Sequence, residues 1–230
     1  MLKNSPPPPL SAFTAAERRL INRLRTPHDV QRYLNALRYN NEPPPGGATL
    51  RCFRGVVQRH TAHCLEATLF AATILEQHGY PPLVLSFESI DELDHVIFVY
   101  KRNGLWGSVA RSRDPGLHGR KPVFKTPRAL ALSYVDAYVD FTGRITAYAV
   151  VDLRIMGDYD WRFSEKNVWK VERMLLDYPH HPIRSSDRHI DRLRRRYVEF
   201  RKKFGRKPIY YRGREKWTPV APESLRKIDH

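Results

Sequence analysis

In His63-Cys64-Leu65-Glu66-Ala67-Thr68-Leu69-Phe70-Ala71-Ala72-Thr73-Ile74-Leu75-Glu76-Gln77-His78-Gly79, apolar residues recur at helical spacing: Leu65, Leu69, Ala72 and Leu75, with Ala71 and Ile74 beside them. Gly79 falls where a helix would end. Cys64 thereby sits in the first turn of a buried helix, where unpaired backbone N–H groups and the positive end of the helix dipole favour a thiolate over a thiol. A cysteine so placed suits a nucleophile. It equally suits a small apolar residue packed in a core, where most free cysteines lie.

Upstream, residues 1 to 11 form a flexible, proline-rich lead-in. Thr14-Ala15-Ala16-Glu17 is a capping-box pattern opening a short helix through about Leu24. Thr26 caps a second helix with Pro27 at its first position and Val30, Leu34 and Leu37 on one face, stopping near Asn40. A proline- and glycine-rich loop, Asn41 to Gly47, precedes the segment Leu50 to Thr61. Downstream, Pro82 to Phe87 and Asp94 to Tyr100 read as strands, and Asn103-Gly104 turns the second into a return strand, Leu105 to Ala110. Ser112 to Lys125 is expected to be a loop, Thr126-Pro127 to start a helix through Tyr138, and Arg144 to Val151 to form another strand. Ser164 is expected to cap a helix whose Val168, Val171, Met174 and Leu175 share a face.

With 230 residues the chain is long enough for one sizeable core, and 41% hydrophobic residues with 28% charged fit a globular protein rather than a disordered one. The charge is one-sided: 40 Lys and Arg against 24 Asp and Glu, a formal +16, which attracts anionic partners. Sixteen of the basic residues, against six acidic ones, follow Ile183, where Ile190, Leu193, Tyr197 and Phe200 make an apolar stripe on a helix from Asp187 to about Phe204. The two cysteines, Cys52 and Cys64, exclude a disulfide framework and favour a reducing compartment. No signal peptide and no membrane-spanning run is seen, so the expected location is cytoplasmic.

A thiolate nucleophile needs a base or ion-pair partner, usually His, and a third group that holds the imidazole in the useful tautomer. His95 opens the strand that follows the cysteine helix, and a sheet packed on that helix would bring it to Cys64. The plainer alternative is a strand-end histidine bonded to Asp94 or Asp91. His60, His63 and Cys64 are crowded but lack further ligands, and Cys52 has no CxxC partner, so no metal is expected. No glycine-rich phosphate cradle occurs in a strand-to-helix setting, so no cofactor is expected either.

In order and spacing these segments resemble the transglutaminase-like superfamily of cysteine enzymes, and within it the bacterial transglutaminase-like domain proteins. The resemblance rests on Asp29 to Leu37, His63-Cys64-Leu65-Glu66-Ala67, Asp94-His95-Val96 and Gly104-Leu105-Trp106-Gly107-Ser108, and extends through Lys121 to Phe124 and Ala129 to about Tyr138. It implies a papain-like fold, with the nucleophile helix against an antiparallel sheet, an acyl-thioester at Cys64 and His95 relaying the proton. The acyl acceptor is an amine in transglutaminases and water in the related peptidases and amidases. In the family an acidic or amide residue usually stands a few positions after the Trp of the return strand. Here that place holds Ala110, and Asp114 is the nearest acid, with Asp140 more remote. Asp114 precedes Pro115 and equally reads as a turn residue. Gln58 stands six before Cys64, the spacing of the oxyanion-hole glutamine of papain-type proteases, and also reads as an exposed polar residue. Glu66 is expected to give structural support.

The expectation is therefore an α+β protein: a transglutaminase-like domain over residues 12 to 180, with a nucleophile helix on an antiparallel sheet, and a basic helical extension over 181 to 230. Its expected function is cysteine-dependent acyl transfer or hydrolysis at a peptide, isopeptide or glutamine-type amide bond, carried by Cys64, His95 and Asp114. The alternative is a catalytically weak or inactive module of the same family. It would bind nucleic acid or another anionic surface through residues 184 to 216, with Arg192, Arg194, Arg195, Arg196, Arg201, Lys202 and Lys203 on phosphates and Tyr210, Tyr211 and Trp217 stacking on bases.

Overall fold

The computed structural model describes residues 6–42 and 47–227. The start of the lead-in, the centre of the Asn41 to Gly47 loop and the last three residues lie outside them. The first helix, α1 (Ala15–Arg23), opens with the expected capping box: the Glu17 amide donates to Thr14 Oγ1 at 3.3 Å and the Thr14 amide to Glu17 Oε2 at 2.8 Å. Thr26 and Asp29 repeat the arrangement at α2 (Pro27–Ala36). A short strand, β1 (Arg38–Tyr39), pairs in parallel with β2 (Thr61–Ala62), which follows α3 (Phe53–Arg59). The lead-in is tied down where it is described, because the Pro8 carbonyl accepts from Gln77 Nε2 at 3.0 Å.

Next comes α4 (Cys64–Glu76), whose residues from Leu65 to Glu76 are all buried. A helix apolar all round has to lie inside. It packs on a six-stranded antiparallel sheet built from β3 (Leu83–Ser89), β4 (His95–Arg102), β5 (Leu105–Val109), β6 (Arg120–Phe124), β7 (Ile145–Asp152) and β8 (His181–Pro182), in the order β6-β5-β4-β3-β7-β8. Side chains alternate across a strand, so each strand feeds two cores. Val84, Val96 and Phe98 pack with α4 on one face, while Leu85, Ile97 and Val99 pack on the other with Leu130, Ala131 and Tyr134 of α5 (Pro127–Tyr138). Burial on both faces accounts for strands that are apolar runs rather than alternating patterns.

Two local expectations are corrected. The stretch expected as a loop from Ser112 to Lys125 contains β6, an edge strand that tolerates Pro122 because an edge needs fewer ladder donors. Gly107 of β5 makes room for it: a Cβ there would lie 2.9 Å from the Pro122 backbone. The sixth helix, α6 (Trp169–Asp177), starts later than expected, with Val168 as its cap. Ser164 is spent on a local turn, accepting from the Lys166 amide at 3.1 Å, which competes with helix capping.

Of the segment 181 to 230, expected as an extension, residues 181 to 227 are described, and they pack on the rest of the protein. The helix α7 (Asp187–Phe204) buries Ile190 and Tyr197, and the strap after it returns across the protein. Thr218 donates to the Gly119 carbonyl at 3.0 Å, Asn35 to the Pro219 carbonyl at 2.7 Å, and Glu223 accepts from the Tyr39 amide at 3.0 Å and from buried Arg111. The apolar stripe thus docks the basic helix. Ile190→Ala is expected to lower stability by about 2–4 kcal/mol through the lost burial and the cavity left behind. An unchanged urea midpoint would show that α7 is not part of the cooperative unit.

Candidate active site

Cys64 is the first residue of α4, with His63 as its N-cap, and it lines one cleft with two imidazoles, His63 and His95, both near enough to act on its charge. Each ring is held by a backbone carbonyl. His63 Nε2 lies 2.8 Å from the Thr49 oxygen and His95 Nε2 lies 3.1 Å from the Leu117 oxygen. A carbonyl only accepts, so each Nε2 carries the proton, and Nδ1 is the nitrogen left for the sulfur. His95 is buried at the start of β4 and stacks on Phe87, with ring centroids 6.2 Å apart and planes 7° from parallel. Thr68 Oγ1 stands 2.9 Å from both the Cys64 and the Val96 carbonyls, joining the first turn of α4 to the strand that carries His95.

These contacts set the charge state. Burial alone would raise the Cys64 thiol, but hydrogen bonds from His63 and His95, and their charge, hold it well below its ordinary value. Burial likewise opposes protonation of His63, yet the bond to Cys64 and the charges of Cys64 and Glu66 raise it to about 9. Both shifts favour a thiolate beside an imidazolium. Cys52, by contrast, is buried, donates to the Ser164 carbonyl at 3.1 Å and is pushed up by burial. Both cysteines are free, so no bridge consumes Cys64.

Beneath the pair lies Glu66, with no exposed side-chain surface. Its carboxylate accepts from Arg51 Nε at 2.7 Å, Arg51 Nη2 at 2.8 Å, the Arg51 amide at 3.0 Å, Thr49 Oγ1 at 2.9 Å, Asn40 Nδ2 at 3.1 Å and the His63 amide at 3.1 Å. Burial opposes its charge, but Arg51 and His63 bring it from an ordinary 4.5 down to about 2. This is the supporting role expected of it.

Asp114 is not brought to His95. Its carboxylate pairs with Lys207 Nζ at 2.5 Å, and no hydrogen bond or ion pair joins it to the imidazole among the described residues. It stands at the head of the turn Pro115–Leu117, so it helps to shape the loop that offers the Leu117 carbonyl. Asp140 is occupied with the Thr142 and Gly143 amides at 3.0 and 2.8 Å. Gln58 is exposed and lines a different cavity, beside Arg54 and Lys166.

The loop is held from within. Buried Arg120 donates to the His118 carbonyl at 2.7 Å, the Gly116 carbonyl at 2.7 Å and the Ser133 carbonyl at 3.1 Å, between the rings of Tyr134 and Trp217. Burial lowers its pKa to about 10, which leaves it charged at neutral pH. Buried His118 bonds the Ser112 carbonyl at 2.8 Å and Ser224 Oγ at 3.0 Å, and burial with Arg111 nearby keeps it neutral, at about 3.

Cys64, His63 and His95 open into a cleft of about 410 Å³ whose walls include Tyr39, Asp94, Tyr138 and Trp169. Burial and the nearby Cys64 charge raise Tyr39, so it stays a phenol. Among the described residues no group of three His, Cys, Asp or Glu is arranged to hold a metal ion. The aromatics proposed for base stacking are engaged internally: Trp217 is buried over Arg120, and Tyr210 lies under Arg196, 3.8 Å from its ring centroid. No helix among them is long and apolar enough to cross a membrane.

Sequence reasoning missed His63 as a partner of the thiol and the Leu117 carbonyl as the third group. The first had a signal, adjacency to Cys64 at a helix cap; the second had none, because a carbonyl belongs to every residue. No family model matches the chain, and none of the curated proteins is similar enough to match.

Glu66→Gln is expected to cost about 3 kcal/mol at pH 7, since it leaves half-buried Arg51 short of its counter-charge. The carboxyl is more acidic in the folded state, so its contribution is present above pH 4.5 and lost as pH falls toward 2. Chemical denaturation at pH 7 and pH 3 checks this: the gap between wild type and variant should narrow at the lower pH.

Proposed function

We propose that the protein is a cysteine-dependent acyl-transfer enzyme or hydrolase acting on an amide bond. The observation that carries the proposal is the Cys64 thiol at a helix N-terminus, sharing one cleft with the His63 and His95 imidazoles. A nucleophile helix packed on an antiparallel sheet supports a papain-like, transglutaminase-like reading of the fold, with the Leu117 carbonyl in the place of the family's orienting side chain.

The roles follow from the contacts. The thiolate attacks the amide carbonyl carbon, and the developing oxyanion meets the amides at the start of α4. His95, in the form that carries a second proton on Nδ1, passes that proton to the leaving nitrogen as the C–N bond breaks, the amine departs, and a thioester is left on Cys64. Water or an amine then attacks, His95 takes its proton, and the thiolate departs. His63, raised to about 9 by the Cys64 and Glu66 charges beside it, holds the thiolate until the sulfur is acylated.

Alkylation by iodoacetamide in a Cys52→Ser background tests the first step. The rate should titrate well below the free-thiol value of about 8.5. His63→Gln should move that titration upward, and His95→Ala should slow the reaction. A wild-type rate that titrates like free cysteine would overturn the proposal.

The second step is tested by incubating glutamine-containing and ordinary peptides with and without a labelled primary amine, and weighing the intact protein. An acyl adduct on Cys64 is expected, with turnover falling about 10²–10⁴-fold in His95→Ala.

A further inference from the structure

The walls of the Cys64 cleft carry a charge opposite to that of the molecule. Asp114 and Lys207 neutralise each other, which leaves Glu42, Asp91, Glu92, Asp94, Asp140 and Glu172 facing Arg113 as the only other Lys or Arg in the lining. The chain as a whole is +16. A cleft with walls of one sign and low-dielectric floors concentrates ligands of the other sign.

The carboxylates are not all matched from within. The Glu172 carboxylate has no hydrogen-bond or ion-pair partner among the described residues, and burial with the charges of Cys64, Glu42 and Asp94 raises it against the opposing pull of His63. Asp94 accepts from the Ser89 amide at 2.9 Å but is raised by burial and by the Glu88 and Asp91 charges. An incoming cation would relieve this mutual repulsion.

A second feature concerns shape. On α6, Trp169, Glu172 and Leu176 stand at helical spacing on one face, all three line the cleft, and both apolar members are exposed, Trp169 at 38% and Leu176 at 56%. The adjoining face of the same helix buries Val171 and Leu175, and Leu175 also reaches the cleft. Leu93, 61% exposed, adds an apolar side chain to the cleft from the turn that also carries Asp91, Glu92 and Asp94. A small amine would satisfy the acids and leave these side chains uncovered.

We infer that the cleft takes a basic peptide segment, presenting Lys or Arg beside an apolar residue, with its amide bond at Cys64. The inference rests on the acyl-transfer reading for its chemistry and on the cleft walls for its specificity.

Three methanethiosulfonates of equal reach, one trimethylammonium, one sulfonate and one uncharged, test the walls in the Cys52→Ser protein. In each reaction the thiolate attacks the sulfenyl sulfur, a mixed disulfide forms and methanesulfinate leaves. Relative to a free thiol in solution, the cationic reagent should react at least tenfold faster than the anionic one at low salt, with the ratio collapsing at high salt. The double variant D94N/E172Q should lower the ratio several-fold. A ratio near one in the wild type overturns the inference.

Direct binding to Cys64→Ala separates this inference from the catalytic reading. Fluorescence anisotropy with labelled Leu-Arg-Leu and Leu-Glu-Leu peptides should show binding of the first at least tenfold tighter. Equal affinity, or displacement by spermine with no peptide preference, overturns the peptide assignment. If the uncharged reagent finds Cys64 inert while the basic peptide still binds, the catalytic reading fails and the specificity stands.

Discussion

The buried carboxylate of Glu66 is the contact on which the setting of Cys64 depends. Six hydrogen bonds converge on it from Asn40, Thr49, Arg51 and the His63 amide. A charge taken out of water is costly, and the cost is offset only when nearly every lone pair is used. Satisfying Glu66 therefore fixes Asn40, Thr49 and Arg51 against the start of α4. Thr49 is fixed with it, and its carbonyl orients His63, so the geometry of the thiolate pair follows from a carboxylate that does not touch the sulfur.

A second clamp works on the other side of the sulfur by the same logic with different parts. The Leu117 carbonyl fixes His95, and the loop that presents it is held by Arg120 through three carbonyls and two aromatic rings. A buried guanidinium without a carboxylate is unusual, because its charge has to be spread over dipoles and ring faces instead. Trp217 supplies one of those faces, which gives the C-terminal strap a part in positioning a histidine that opens β4, far from it in sequence. The strap's other contacts, Ser224 to His118 and Glu223 to Arg111, end on the same loop or beside it.

Electrostatics divides the molecule. Basic residues crowd α7, but several are turned to local work: Arg194 donates to the Asp140 and Thr142 carbonyls, and Arg196 covers Tyr210. The carboxylates gather instead around the cleft, where the thiolate and the His63 imidazolium balance each other. A net charge counted along the chain reports on the outside of the protein and says little about what its cleft admits.

Much of the fold was legible in the chain. The caps at Thr14, Thr26 and Thr126, the helix from Cys64, the Asn103-Gly104 hairpin and the basic helix ending at Phe204 are local events, set by hydrogen bonds and periodicities within a few residues of each other. So was the candidate nucleophile, since a helix start is a local electrostatic environment. Non-local pairings were not legible. Edge strand β6 exists because β5 lies beside it, and the later start of α6 reflects a turn that competes for Ser164. The group behind His95 was misassigned to Asp114 because side chains carry identity and backbone carbonyls do not. The sequence by itself determined most of the helices and strands and placed Cys64 at a helix start. Only the tertiary structure decided that two imidazoles meet at the sulfur and that acidic walls surround it, because both depend on bringing distant segments within hydrogen-bond and Coulomb range of one another.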